Sequence, residues 1–297
     1  MTEEERDQFT PAARPDSAAR RPSRLPRFFL RPSVTFAPVP PAGPSRPWSE
    51  GAFEDAVQRF LAGLRSWRFC ALPERELHPF DREHGVDTSG LLYADKLATG
   101  HAHDAASEGY YATAPSLFHG ALAHWQQTLG ESLGPLVPKS LSDYTFIDLG
   151  CGKGRVLLMA SDYPFRKVMG VELSPRLARA ARRNVHRWAR RPRACPRISV
   201  MVGDVMQLRL PDGPVVLFLF NSFGETVMTQ LIEGLAAAAR VRSAPIDLIY
   251  VHPEQDALVR QAGFQVLADE EVAFSGEDAA ADVFEVVSDR CTIYRVG

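Results

Sequence analysis

Three glycines and three carboxylates stand at spacings that could do chemistry. Gly150, Gly152 and Gly154 alternate in the run Asp148-Leu149-Gly150-Cys151-Gly152-Lys153-Gly154. Lacking Cβ, a glycine permits a tight turn or lets a ligand press against the backbone. A helix that starts at such a turn points its first N–H groups toward that ligand. Glu172 follows 24 residues after Asp148, in GVELSP, and Asp204 stands in VGDV. Carboxylates accept hydrogen bonds from hydroxyls and amines. Their blander readings are a turn or cap acid for Asp148 and exposed strand ends for the other two. Further on come Phe220-Asn221-Ser222-Phe223-Gly224 and His252 in VHPE. The Asn221 amide could orient an amine or hydroxyl, and His252 could act as a base. The plain alternatives are a turn residue closing a strand and a structural histidine.

These residues need strand ends to position them, and the pattern supplies strands. From Tyr144 onward, short β-rich runs alternate with helical ones. The strands are TFIDLG (145–150), KVMGVEL (167–173), ISVMVGD (198–204), VVLFLFN (215–221) and IDLIYVH (246–252). Helical stretches fall near 154–162, 175–190, 225–240 and 254–262. Five strands, each followed by a helix, imply a parallel sheet with helices on both faces. Two further strand-like runs, 264–274 and 284–296, have no strong helix between them and read as an antiparallel hairpin on the sheet edge. Ligands of such sheets bind at the carboxyl ends of the strands.

Upstream, Phe53, Val57, Phe60, Leu61 and Leu64 recur at helical spacing after Ser49, a plausible N-cap. A second helix is expected from about Pro115 to Leu129, with Leu117, Phe118, Leu122 and Trp125 on one face and Gly130 as its stop. Ten of the 23 prolines lie in residues 1–47, together with seven arginines between Arg14 and Arg46. So many prolines exclude a helix or inner strand there. The organisation read from the chain is a disordered Pro/Arg-rich tail at 1–47, a helical N-terminal cap at 48–140, and an α/β domain at 141–297.

The dinucleotide fingerprint G-x-G-x-x-G fails at Arg155, where it needs glycine. With the acid first, the turn instead resembles motif I of the class I S-adenosylmethionine-dependent methyltransferases. The resemblance covers 144–297. It implies a Rossmann-like, seven-stranded, mostly parallel sheet with a C-terminal antiparallel hairpin, and S-adenosylmethionine as cofactor. Carried onto this sequence, it gives Asp148 and the three glycines to the methionine end, Glu172 to the ribose hydroxyls and Asp204 to the adenine. Met201 and Val202 could flank the adenine or be strand core. It also sets the segment after the fourth strand, with Asn221 and Phe223, toward the methyl group. That segment is similar to the Asn/Asp-Pro-Pro-aromatic motif of amino-group methyltransferases, but Ser222 and Phe223 replace both prolines. A closer likeness for this segment, weak over the chain, is to the seven-strand histone lysine methyltransferases, which carry an Asn-rich, Phe-Gly-containing segment here. These also carry an aromatic-plus-Thr stretch similar to Tyr110-Tyr111-Ala112-Thr113, which could form a lid or serve only as helix-entry packing. The stretch 80–262 looks most like uncharacterised bacterial methyltransferases with GVDTSG ahead of DLGCGKGR. The implied activity is methyl transfer to an unidentified acceptor, with a protein side-chain amine preferred. RNA, a small molecule or a non-catalytic cofactor-binding module are the alternatives.

Charge and cysteine usage set the outer bounds. With 34 basic and 36 acidic residues the net charge is −2, which by itself points to no nucleic-acid or membrane partner. By position it is uneven: nine arginines and no acid from Arg176 to Arg197, and ten acids against Arg260 alone across 253–289. Arg176, Arg179, Arg183, Arg187 and Arg190 form one helical stripe. It could contact phosphates weakly, though a solvated face is the preferred reading. Cys70, Cys151, Cys195 and Cys291 form no CxxC pair and have no histidine at zinc spacing, so neither a disulfide framework nor a metal is expected. The acidic start MTEEERDQ is unlike a signal peptide. The longest purely aliphatic or aromatic run, Val215–Phe220, falls far short of the ~20 residues of a membrane span. A soluble, cytoplasmic protein is the expectation.

Overall fold

Patterning along the chain resolves into two kinds of element, short pieces that lie over the site and longer ones that build a sheet. The computed structural model describes residues 77–92, 94–104, 109–130 and 140–296. The expected tail at 1–47 and the helix expected after Ser49 lie outside the described residues. Helix α1 is Pro79–His84, opened by Pro79 and closed by Gly85 in the left-handed conformation. A two-stranded antiparallel ribbon follows, β1 (Leu91–Leu92) with β2 (Tyr110–Tyr111), and α2 (Ala94–Leu97) sits between its strands. Helix α3 is Pro115–Gly130.

The sheet proper runs β3 (Thr145–Leu149), β4 (Lys167–Glu172), β5 (Ile198–Val202), β6 (Val215–Phe220), β7 (Ile246–Val251), β8 (Gln265–Ala273) and β9 (Ser288–Val296). Spatial order is β5-β4-β3-β6-β7-β9-β8. The first five of these are parallel, and β9 pairs antiparallel with both β7 and β8. This is the seven-stranded, mostly parallel sheet with a terminal hairpin that the sequence implied. Between the strands lie α4 (Arg155–Ala160), α5 (Pro175–Trp188), α6 (Glu225–Val241), α7 (Asp256–Gln261) and α8 (Gly276–Ala281). One expectation fails: β5 is followed by a single 3-10 turn, Val205–Gln207, not by a helix. Pro211 and Gly213 break up the rest of that connection.

Side chains alternate across the sheet and fill two cores. Phe146, Phe218, Ile249 and Ile293 face α3 and α4, where Phe118, Leu122, Trp125 and Leu157 meet them. Ile147, Leu217, Leu248 and Tyr250 face the other way, against Val227, Met228 and Leu231 of α6. Each fully buried Leu or Phe is worth roughly 1.5–3 kcal/mol relative to exposure, so these two layers dominate the favourable energy. Across the α3 core runs one polar bridge. Asp247 is fully buried, accepts two bonds from Arg295 at 2.7 and 2.8 Å, and a third from Trp125 Nε1 at 2.9 Å. Helix α3 thus shares its core with the sheet.

Helix α5 keeps its two expected faces. Ser174 caps it, Pro175 opens it, and Leu177, Ala181 and Trp188 are buried while the stripe from Arg176 to Arg190 is exposed. Edge strand β5 departs from expectation. Met201 and Val202 are 41% and 42% exposed, so they are not strand core.

Candidate active site

Strand order reverses direction between β3 and β6, and a cavity of about 650 Å³ opens at the carboxyl ends of the strands around that point. Such a crevice is where open α/β sheets take their ligands, and the volume suits a small molecule. Asp148 closes β3 and is buried at its floor. The Asp148 carboxylate takes no hydrogen bond from a described residue. Burial, and secondarily the Glu172 carboxylate, push its pKa well above the ordinary carboxylate value. A buried acid left so is costly unless a ligand supplies a donor or a positive charge.

The glycine turn then wraps toward β4, with the Gly150 and Cys151 N–H groups donating to the Val171 carbonyl at 2.9 and 3.0 Å. Gly152 has φ +52° and lies so close to the Tyr110 ring that a Cβ would sit 2.2 Å from it. Gly150, at φ +80°, is similarly pressed by Ser222, 2.9 Å from where a Cβ would be. No other residue type fits these two positions. Glu172, buried at the end of β4, receives the Gly152 N–H on one oxygen and the Ser174 N–H on the other, both at 2.8 Å. Burial raises its pKa, and those two N–H groups offset part of the rise. Each oxygen keeps acceptor capacity for a ligand hydroxyl. Gly154 ends the turn in a left-handed conformation as the N-cap of α4.

Asp204 lines the same cavity below the end of β5. One oxygen caps the 3-10 turn through the Met206 N–H at 2.9 Å. The other faces His103 Nδ1 at 2.9 Å and His101 Nε2 at 3.8 Å. Met201 and Val202 do not line the cavity.

Across the cavity stand Asn221, Phe223 and His252, all lining it. Asn221 and His252 follow β6 and β7 directly, and both hold left-handed backbone, φ +34° and +50°. For non-glycine residues this costs on the order of 1–3 kcal/mol each, and such strain concentrates at functional sites. The Tyr250 hydroxyl donates to Asn221 Oδ1 at 3.3 Å. His252 lies between two carboxylates, Nδ1 3.0 Å from Asp289 and Nε2 3.5 Å from Glu254. Burial alone would lower its pKa; the hydrogen bonds to Asp289 and Glu254 outweigh this and raise it to about 9. Glu254 is held below the usual range, first by His252 and against its own burial, with help from Asn221.

Aromatic rings form the roof. Tyr111 meets Phe220 and Phe284 edge-on at 6.3 and 5.3 Å, and its hydroxyl donates to Asp282. Burial, then Asp282, keep that hydroxyl protonated far above its ordinary value. Thr113 is buried beside it, its carbonyl accepting from Arg155 at 3.3 Å. Tyr110, the third residue of that expected lid, is packed beneath it with its hydroxyl on the Thr88 carbonyl.

Sequence reasoning passed over what ties this roof down. Buried Arg155 reaches Thr88 Oγ1 at 2.7 Å and Ser89 Oγ at 3.2 Å, beside the Asp81 carboxylate at 3.7 Å. Lys153 Nζ holds Asp87 at 2.9 Å and the Ser89 carbonyl at 2.6 Å. Asn184 of α5 exchanges bonds with Asp87 and also binds the Lys153 carbonyl. The Lys153-Gly154-Arg155 end of the turn therefore clamps the GVDTSG segment. The usable signals were the two motifs' presence in one chain and an asparagine on the apolar stripe of α5. Glu254, Phe284, His101 and His103 also line or border the site, and nothing in the local sequence marks them.

Residues 146–243 match the methyltransferase-domain family. Among solved structures, the chain is similar to the N-methyltransferase NodS of Bradyrhizobium japonicum WM9 in complex with S-adenosyl-L-homocysteine, at 10% identity, 62% of this chain and 88% of that chain covered, and a TM-score of 0.40. It is similar as well to an RNA methyltransferase of Salinibacter ruber in complex with the same molecule, at 17% identity, 62% and 91% coverage and a TM-score of 0.36. A ribosomal protein L11 methylase of Lactobacillus delbrueckii subsp. bulgaricus gives 14% identity, 60% and 80% coverage and a TM-score of 0.36. No curated protein matches the chain. Among the described residues no helix is long and apolar enough to cross a membrane. Residues 146–243 thus match a methyltransferase domain, on the sheet and acid-first glycine turn that the sequence implied.

Proposed function

We propose that the cavity binds S-adenosylmethionine and passes its methyl group to an amine, that of a protein side chain being preferred. The observation that carries the cofactor half is Asp148, a buried carboxylate on the cavity floor without a donor among the described residues. A cationic amine, or a water it holds, is the partner such a group calls for. Glu172, its two oxygens already fixed by backbone N–H groups, is set to accept ribose hydroxyls. Gly150 and Gly152 let Ser222 and the Tyr110 ring pack against the turn that borders the cavity, and Asp204 is assigned to the adenine side. When bound, the cofactor supplies an electrophilic methyl group on a positively charged sulfur.

The chain's own contribution is then placement and charge. An in-line displacement needs its partners aligned, and alignment can supply roughly 7–11 kcal/mol of barrier reduction in favourable cases. Tyr111, Phe220 and Phe284 wall the acceptor side and keep water out. Glu254, a carboxylate at neutral pH, draws a positively charged amine toward that wall. Phe223 borders the same space, and the Asn221 amide orients the acceptor nitrogen. His252, with a pKa near 9, is an imidazolium at neutral pH and positions Glu254 rather than serving as a base. The amine releases its proton to bulk solvent at the cavity mouth before transfer, because only the free base has the lone pair that attacks.

The non-catalytic module is disfavoured by the strained Asn221 and His252 backbone, which a passive binding site has no need to hold. An RNA acceptor draws on the exposed arginine stripe of α5. The test is transfer of labelled methyl from S-adenosylmethionine into a cell extract, followed by protease or nuclease. Label lost to protease and stable to nuclease supports the amine reading. Label lost to nuclease replaces it with RNA, and no label in any fraction favours the binding module.

A further inference from the structure

His101, His103 and Asp204 bring three ligand atoms within 4.8 Å of one another at the rim of the cavity. We infer that they form a binding site for a divalent transition-metal ion of the zinc type. The donor set decides the class: two imidazoles and one carboxylate suit zinc, cobalt or nickel, whereas magnesium and calcium prefer oxygen alone. Zinc bonds of about 2.0–2.2 Å to nitrogen and oxygen put tetrahedral ligand atoms about 3.4 Å apart. Asp204 Oδ2 lies 2.9 Å from His103 Nδ1 and 3.8 Å from His101 Nε2, which brackets that spacing. Small side-chain adjustments are enough to admit an ion.

The surroundings hold these ligands in place. Asp204 is fixed through its other oxygen by the Met206 N–H. The loop carrying the histidines is gathered by Asp104, whose carboxylate accepts the N–H groups of Thr99, Gly100 and His101 and the Thr99 hydroxyl. Outer partners of this kind orient metal ligands and raise affinity. His101 Nδ1 accepts the His103 N–H at 3.2 Å, so its ring proton sits on Nε2. Ion binding at Nε2 moves that proton to Nδ1 and gives up this long contact; the ion also displaces any proton on His103. Three protein ligands leave a fourth position for water or a bound molecule, as in sites that are not purely structural. The three residues are 36%, 23% and 9% exposed at the side chain, open enough for an ion to enter.

The site does not depend on methyl transfer, and its test reads the ion alone. Untagged full-length protein, stripped with chelator, is titrated with Zn²⁺ in a calorimeter and with Co²⁺ by visible absorption. One saturable ion per chain is expected, with the intense Co²⁺ bands of a low-coordinate nitrogen–oxygen site. Loss of an outer partner alone costs about 10–100-fold in affinity, so His103→Ala and Asp204→Asn should each cost at least tenfold. His186→Ala, on the exposed face of α5, should bind as the wild type does. Thermal melts check that each variant is folded, and His101→Ala with His103→Ala disturbs only partly exposed side chains. Absence of saturable binding overturns the proposal. So does equal affinity in the folded double variant.

Discussion

The clamp on His252 has a measurable size. Burial opposes its charge, yet hydrogen bonds to Asp289 and Glu254 raise its pKa from 6.5 to about 9. Between these values the folded protein holds a proton that the unfolded chain has released. Its contribution to stability is therefore complete below about pH 6.5 and is lost as pH rises through 9. One such proton gives a slope of about 1.36 kcal/mol per pH unit, and the whole interval is worth about 3 kcal/mol. The side chain is only 15% exposed, so solvent screening removes little of this. Urea unfolding of wild type and His252→Gln is to be followed from about pH 6 to pH 10. The variant is less stable throughout, since Asp289 loses its partner, but the gap should narrow by about 3 kcal/mol as pH rises. An NMR titration of the wild-type imidazole should give a midpoint near 9. A constant gap across the range, together with an imidazole titrating near 6.5, would refute the reasoning.

Two further substitutions test the frame around the site. Gly152→Ala forces a Cβ into the Tyr110 ring and a left-handed alanine, so stability should fall by at least about 1–2 kcal/mol in chemical denaturation, and cofactor affinity with it; unchanged values in both would count against the close approach. Arg295→Met strips the buried Asp247 of its ion pair and should cost about 3–5 kcal/mol, while the paired Asp247→Leu, Arg295→Met variant should recover most of that. A single-variant cost under about 1 kcal/mol would show that the bridge is solvated rather than buried.

How much of this was legible depended on how local each signal was. Strands β3, β4, β6 and β7 announce themselves as apolar runs closed by glycine, an acid, asparagine or histidine, so the sheet and its site-bearing ends could be read directly. Asp148, the glycines and Glu172 share one turn and the next strand, and their spacing survives in the chain. Edge position is not local: Met201 and Val202 look like core residues, and only β5's place at the rim exposes them. Of the two carboxylates that raise the His252 pKa, the first, Asp289, is on β9, 37 residues away, and no periodicity links the two. Nor does any spacing connect His101 and His103 with Asp204, which the fold alone brings together. Arg155 shows the converse case. It was legible as a residue that breaks a dinucleotide fingerprint, but its purpose lies in Thr88, Ser89 and Thr113, three partners set by tertiary packing.

The central claim is that the acids at the ends of β3 and β4 hold S-adenosylmethionine. Calorimetric titration of the purified protein tests it most directly, with NAD as the competing ligand and Glu172→Ala as the altered site. The account predicts one bound S-adenosylmethionine per chain, markedly weaker binding in the variant, and no comparable affinity for NAD. Equal affinity for the two ligands, or an undiminished affinity in Glu172→Ala, would contradict it.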